Sequence, residues 1–148
     1  MVQAKKLTLS SPLTLCYTIV LSLAFAMTVG LGIWMKHAMD SGDIALGEGL
    51  RTAHLVSGII FMVMALGHAW YNRHWCGRVL CSIGLTWKLN AVQKVLPIYA
   101  ALFICVAISA ILILCGNRAI IPFHCGSALL FSVFAVFHIT LQLGSKRR

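Results

Sequence analysis

Four runs of twenty or more residues in this chain contain no Asp, Glu, Lys or Arg: Leu13 to Met35, Thr52 to Asn72, Leu96 to Cys115 and Ala119 to Leu143. A helix rises 1.5 Å per residue, so about twenty residues match a hydrocarbon core about 30 Å thick. Backbone polar groups in that core must be satisfied internally, which a helix does. The expected fold class is an all-α membrane protein, a four-helix up-and-down transmembrane bundle with helices at about 13–35, 52–72, 96–115 and 119–143. Four spans and short connections occupy the 148 residues, so a single transmembrane domain over 1–148 is expected. Any large catalytic module then comes from a partner.

Composition agrees. Hydrophobic residues make up 60% and charged residues 10%, with a mean hydropathy of +0.92, well outside the range of a soluble domain. The net charge of +9 does not point to nucleic acid, because twelve basic residues in so apolar a chain read as topology charges. The acidic residues are Asp40, Asp43 and Glu48, all in an expected loop at 37–51. With no carboxylate in any span, a proton-coupled transporter or a carboxylate-lined cation path is disfavoured. Ala24-Phe25-Ala26 resembles a signal-peptidase site, but the apolar run continues nine residues past it, so the segment reads as a retained helix.

Lys5, Lys6, Arg73, Arg78, Lys88, Lys94, Lys146, Arg147 and Arg148 fall on one side if the spans alternate. The positive-inside rule makes that side, and both termini, cytoplasmic in a bacterial-type inner membrane. Trp70, Trp75 and Trp87 then sit at the cytoplasmic boundary and Trp34 at the other. The stretch from His74 to Lys94 is longer than a hairpin needs, and is expected to lie along the headgroups as an amphipathic connector or to dock a partner.

Two histidine pairs of equal spacing lie inside these spans. His54 and His68, and His124 and His138, are each fourteen residues apart. Fourteen residues are nearly four helical turns, so the members of a pair share a face at levels about 21 Å apart. An offset of seventy residues also aligns Ser57 with Ser127, Phe61 with Phe131, Val63 with Val133 and Ala65 with Ala135. Spans two and four are parallel in an up-and-down bundle, so like pairs with like: His54 with His124, His68 with His138. A lone histidine in a membrane helix often just bonds a neighbouring helix. Two pairs in register are a ligand pattern.

Tetrahedral zinc needs four ligands together, whereas each level supplies two. Haem needs two axial ligands, since the macrocycle brings four nitrogens. No Cys-x-x-Cys-His occurs, so two non-covalent haem b groups are expected, one on His54 and His124, the other on His68 and His138. Phe61 and Phe131 stand midway between the histidines of their helices and are expected to fill the space between the haems. Gly58, Gly67 and Gly126, with Gly30 and Gly32 in span one, would let a macrocycle approach a helix. Ser57 and Ser127 read as bonding their own backbone or a porphyrin substituent. Arg51 and Arg118 near one level and Arg73 near the other are propionate partners or topology charges, while His37 and His74 lie at span ends. Cys16 and Cys105 read as small apolar residues and Cys76 and Cys81 as free thiols. Cys115 and Cys125 flank the outer turn, where a disulfide or simple packing both remain open.

The runs His54-Leu-Val-Ser-Gly to His68-Ala-Trp-Tyr-Asn-Arg-His-Trp, and His124-Cys-Gly-Ser to His138, resemble the membrane cytochromes b, and most of all small four-helix cytochrome b-like proteins. Spans one and three match only as generic apolar helices, and the further helices and quinol-site motifs of the large respiratory cytochromes b are missing. The resemblance implies low-spin bis-histidine haem and transmembrane electron transfer between quinone or quinol and a redox partner protein or subunits. The rival expectations are a stand-alone quinone-reactive or superoxide-oxidising cytochrome, and a haem-free membrane subunit or metal transporter.

Overall fold

The computed structural model describes residues 12–83 and 91–145. The chain is all-α: α1 (Pro12–Asp40), α2 (Ile44–Tyr71), α3 (Arg73–Ile83), α4 (Ala91–Leu114), a 3₁₀ turn (Arg118–Ile120) and α5 (Ile121–Ser145), with no strand among the described residues. Four stretches are long and apolar enough to cross a bilayer: Cys16–Asp40, Ile44–Tyr71, Val95–Leu114 and Arg118–Thr140. This is a multi-pass membrane protein with the four expected spans.

The helix ends depart from expectation. The acidic segment at 37–51, read as a loop, is almost entirely helical, because hydropathy marks where lipid ends and not where a helix does. Lys36 pairs with Asp40 one turn on, at 2.6 Å, and Arg51 pairs with Glu48 at 3.2 Å. The Asp43 side chain accepts from the Leu46 N–H at 3.1 Å and so caps the start of α2. Beyond α2, the Asn72 amide donates to the carbonyl of His68 at 2.9 Å, and α3 begins at the next residue. The expected amphipathic connector is thus helical over 73–83, while Leu85, Trp87 and Lys88 lie outside the described residues, as do Lys5, Lys6, Lys146, Arg147 and Arg148.

The chain divides between Gly67 and His68 into two compact units. Within the first, α1 and α2 are antiparallel: Thr28 meets His54, Phe25 meets Phe61 and Tyr17 meets Met64. Within the second, α4 and α5 are antiparallel: Ser109 meets His124, Phe103 meets Phe131 and Tyr99 meets His138. Both helical hairpins reverse through the same device. At the end of α1 the Gly42 N–H reaches the carbonyl of Met39 and the Asp43 N–H that of Ala38, at 3.2 and 3.0 Å. At the end of α4 the Gly116 N–H reaches Ile113 and the Asn117 N–H reaches Leu112, both at 3.0 Å. These are Schellman caps, which need a left-handed residue, and Gly42 (φ 85°) and Gly116 (φ 92°) supply it. From glycine to histidine is twelve residues in the first hairpin and eight in the second, so His54 lies about one helical turn deeper.

Burial inverts the pattern of a soluble domain. Leu23, Ile33, Val63, Leu66, Ile104, Leu129 and Phe137 are exposed, whereas the buried set is rich in small and hydroxyl side chains: Ala24, Ala38, Ser57, Ser109, Ser127 and Ala135. Lipid is as apolar as leucine, so large aliphatics gain nothing by turning inward, while small residues let helices approach.

Replacing Gly116 or Gly42 by Ala should cost about 1–2 kcal/mol, the strain of a Cβ in the left-handed region. Gly30 is helical with open space about its Cβ position, and Gly30→Ala should leave stability unchanged or raised. Thermal unfolding of the three variants in one detergent checks this, and a Gly116→Ala protein as stable as Gly30→Ala would contradict it.

Candidate metal-ligand site

Residues 51–70 and 121–140 follow one burial pattern position by position, differing only at Ala65 and Ala135. The sequence repeat is therefore a repeat of environment. In each copy both histidines are half-buried, the serine three residues after the first is buried, and so is the phenylalanine midway between them. Ser57 donates to the carbonyl of His54 at 3.0 Å and Ser127 to that of His124 at 3.1 Å. Each hydroxyl is thus satisfied within its own helix, as an intramembrane serine must be.

The first histidine of each copy is held by the neighbouring helix of its own hairpin. The carbonyl of Thr28 lies 2.9 Å from His54 Nδ1. A carbonyl can only accept, so Nδ1 carries the proton and Nε2 keeps its lone pair. In the second hairpin Ser109 Oγ lies 2.9 Å from His124 Nδ1. With its own proton on the carbonyl of Val106, at 3.0 Å, Ser109 accepts from the imidazole, the arrangement that gives His124 the same tautomer. Two helix pairs reach one result by different chemistry: a neutral imidazole oriented through Nδ1–H with Nε2 as donor. A metal-bound histidine is held in this way.

Gly32 is part of the arrangement. A Cβ there would fall 2.9 Å from His54 Cε1 and 3.1 Å from its Nδ1, so the missing side chain makes room for the imidazole itself. Likewise a Cβ at Gly67 would stand 3.0 Å from the Tyr17 hydroxyl, which donates to the carbonyl of Met64. Gly58 faces the Thr28 methyl at 3.7 Å, and Gly126 has open space around it.

The second histidines are held otherwise. His68 Nε2 is 3.4 Å from the Asn72 amide nitrogen, longer than an ordinary hydrogen bond, while that amide's good bond goes to the His68 carbonyl. His138 Nδ1 is buried with no hydrogen-bond partner among the described residues, and the ring stacks on Tyr99 at 5.6 Å and 14°. An unpaired polar atom in an apolar span is costly, and an imidazole in that state suits a metal ligand.

Phe61 packs on Phe25 at 5.4 Å, and Phe131, 3% exposed, packs on Tyr99 at 4.6 Å and on Phe103 at 5.9 Å. These midway rings are thus anchored inside their own hairpins. The arginines have local partners: Arg51 pairs with Glu48, and Arg73 donates to the carbonyl of Trp70 with its guanidinium 4.9 Å above the indole. Arg118, His37 and His74 are exposed. All six cysteines are free, Cys115 and Cys125 included, and burial pushes the Cys76 thiol up, keeping it protonated near neutral pH.

No family model, curated protein or solved structure matches this chain. Its chemistry has to be argued from these residues. Among the described residues no three His, Cys, Asp or Glu side chains converge, so the donor set on offer is imidazoles in ones and twos. That set fits a group bringing its own equatorial ligands. Thr28, Ser109, Tyr99 and Gly32 belong to the site beside the histidines. Ser109 and Tyr99 are the only hydroxyl side chains between Leu96 and Cys115, which marks them in the sequence; a main-chain carbonyl such as that of Thr28 carries no mark.

Ser109→Ala should cost about 1–3 kcal/mol, because it leaves the His124 Nδ1–H without its acceptor. Ser132 bonds the carbonyl of Ala128 in its own helix at 2.8 Å, and Ser132→Ala should cost well under that. Unfolding of both variants in the same detergent compares them, and equal losses would contradict the role given to Ser109.

Proposed function

We propose that this chain is a dihaem b-type membrane cytochrome, with one iron taking His54 and His124 as axial ligands and the other His68 and His138. The observation that carries the reading is the seventy-residue repeat of two histidines in matching environments, with the first of each copy fixed as a neutral Nε2 donor. When bound, haem supplies a one-electron Fe(III)/Fe(II) couple. The protein does the rest. Imidazoles at two levels about 21 Å apart define two redox stations spanning most of an apolar core. The Thr28 carbonyl and Ser109 hydroxyl orient two ligands and raise their basicity. Phe61 and Phe131, buried between the levels, keep water out.

The uncharged runs 13–35, 52–72, 96–115 and 119–143 hold no carboxylate, which disfavours proton or cation transport and favours electrons as the cargo. On this reading electrons enter and leave through a quinone or quinol and a redox partner protein. With the positive-inside rule, the reading has both termini cytoplasmic and the protein in a bacterial-type inner membrane.

The pairing makes a sharp test. His54→Ala and His124→Ala should each abolish the same haem, identified by its low-spin ferric resonance and midpoint potential, and His68→Ala and His138→Ala should abolish the other. Electron paramagnetic resonance and redox titration of the four purified variants read this. Loss of different haems from His54→Ala and His124→Ala, or equal partial loss of both in every variant, would contradict the assignment.

A further inference from the structure

The four histidines are not held alike, and the difference falls within the second hairpin. His124 is fixed by the Ser109 bond, whereas His138 Nδ1 is buried without a hydrogen-bond partner among the described residues. Rotation of an imidazole about its Cβ–Cγ bond is soft and broad, so a ring without such a bond needs another constraint. Tyr99 stands where that constraint would act. Its ring lies nearly parallel to the imidazole of His138, 5.6 Å away at 14°, and is backed by Phe131 at 4.6 Å and 26°. Phe131 is itself buried and also packs on Phe103 at 5.9 Å. The stack is anchored at the middle of the hairpin and ends on the histidine.

We propose that Tyr99 is a positioning residue for His138, setting the plane of that imidazole by stacking, as hydrogen bonds set His54 and His124. The inference rests on the haem reading above and adds a residue which the histidine repeat does not contain. Tyr99 touches the imidazole of His138, and its role would be exerted through that ring. The angle between two axial imidazole planes governs the g-values of a low-spin ferric haem, and ligand orientation tunes its potential. A residue that fixes one plane therefore leaves a spectroscopic mark on one centre.

The test uses the whole protein with Tyr99→Phe and Tyr99→Leu. The phenylalanine keeps the stacking face and loses the hydroxyl, while the leucine keeps bulk and loses the ring. Tyr99→Phe should reproduce the wild-type resonances and potentials of both haems. Tyr99→Leu should shift the largest g-value and the midpoint of the haem that His138→Ala abolishes, leaving the haem that His124→Ala abolishes unmoved as an internal control of folding. Two bound haems with unchanged spectra in Tyr99→Leu would overturn the role of Tyr99 while leaving the haem reading intact. So would a shift in Tyr99→Phe as large as in Tyr99→Leu, or disturbance of both haems together. Wild-type protein that takes up no haem would instead overturn the reading on which the inference stands.

Discussion

An imidazole inside an apolar helix has two ring nitrogens to satisfy and no water to satisfy them, and the rest of the site follows from that constraint. The runs 52–72 and 119–143 that bear the histidines, and 13–35 and 96–115 beside them in each hairpin, carry no Asp, Glu, Lys or Arg, so partners come from carbonyls, hydroxyls and rings on the neighbouring helix. His54 finds the Thr28 carbonyl, His124 finds Ser109, and His138 stacks on the face of Tyr99, its Nδ1 without a hydrogen-bond partner among the described residues. Each solution uses the helix antiparallel to the one that bears the histidine. Helices α1 and α4 are therefore what gives His54, His124 and His138 definite orientations.

That dependence gives the hairpin its role as the unit of structure. Glycines at positive φ cap α1 and α4 with the same pattern of hydrogen bonds, the chain reverses, and the returning helix brings two histidines, a serine and a phenylalanine to one face. Each hairpin also sets an aromatic from its first helix against the central phenylalanine of its second, Phe25 on Phe61 and Phe103 on Phe131. The copies are alike in plan and different in detail, with the first reaching about one turn farther past its histidine. On the proposed reading each hairpin supplies one histidine to each of two ligand levels.

Much of this was legible in the sequence. The four spans, the shared face of each histidine pair and the backbone role of Ser57 and Ser127 follow from hydropathy and helical period. The helix ends did not follow, since Asp43 capping α2 and the Lys36–Asp40 pair extend helix through a segment whose charges mark it as outside lipid. The supporting residues were half-hidden. Ser109 and Tyr99 stand out as lone hydroxyls in an aliphatic span, yet their partners depend on the hairpin register, and the Thr28 carbonyl leaves no trace in residue type. Gly32 reads as one of many membrane glycines until its missing Cβ is seen to be the space that His54 fills.

The central claim is that the four histidines hold two b haems. A reduced-minus-oxidised difference spectrum with a pyridine haemochrome assay on the purified protein, expressed with haem in supply, tests it most directly. The account predicts two haem b per chain, both low-spin. Protein that purifies folded and without haem, or with a single haem indifferent to loss of either His54 or His68, would contradict it.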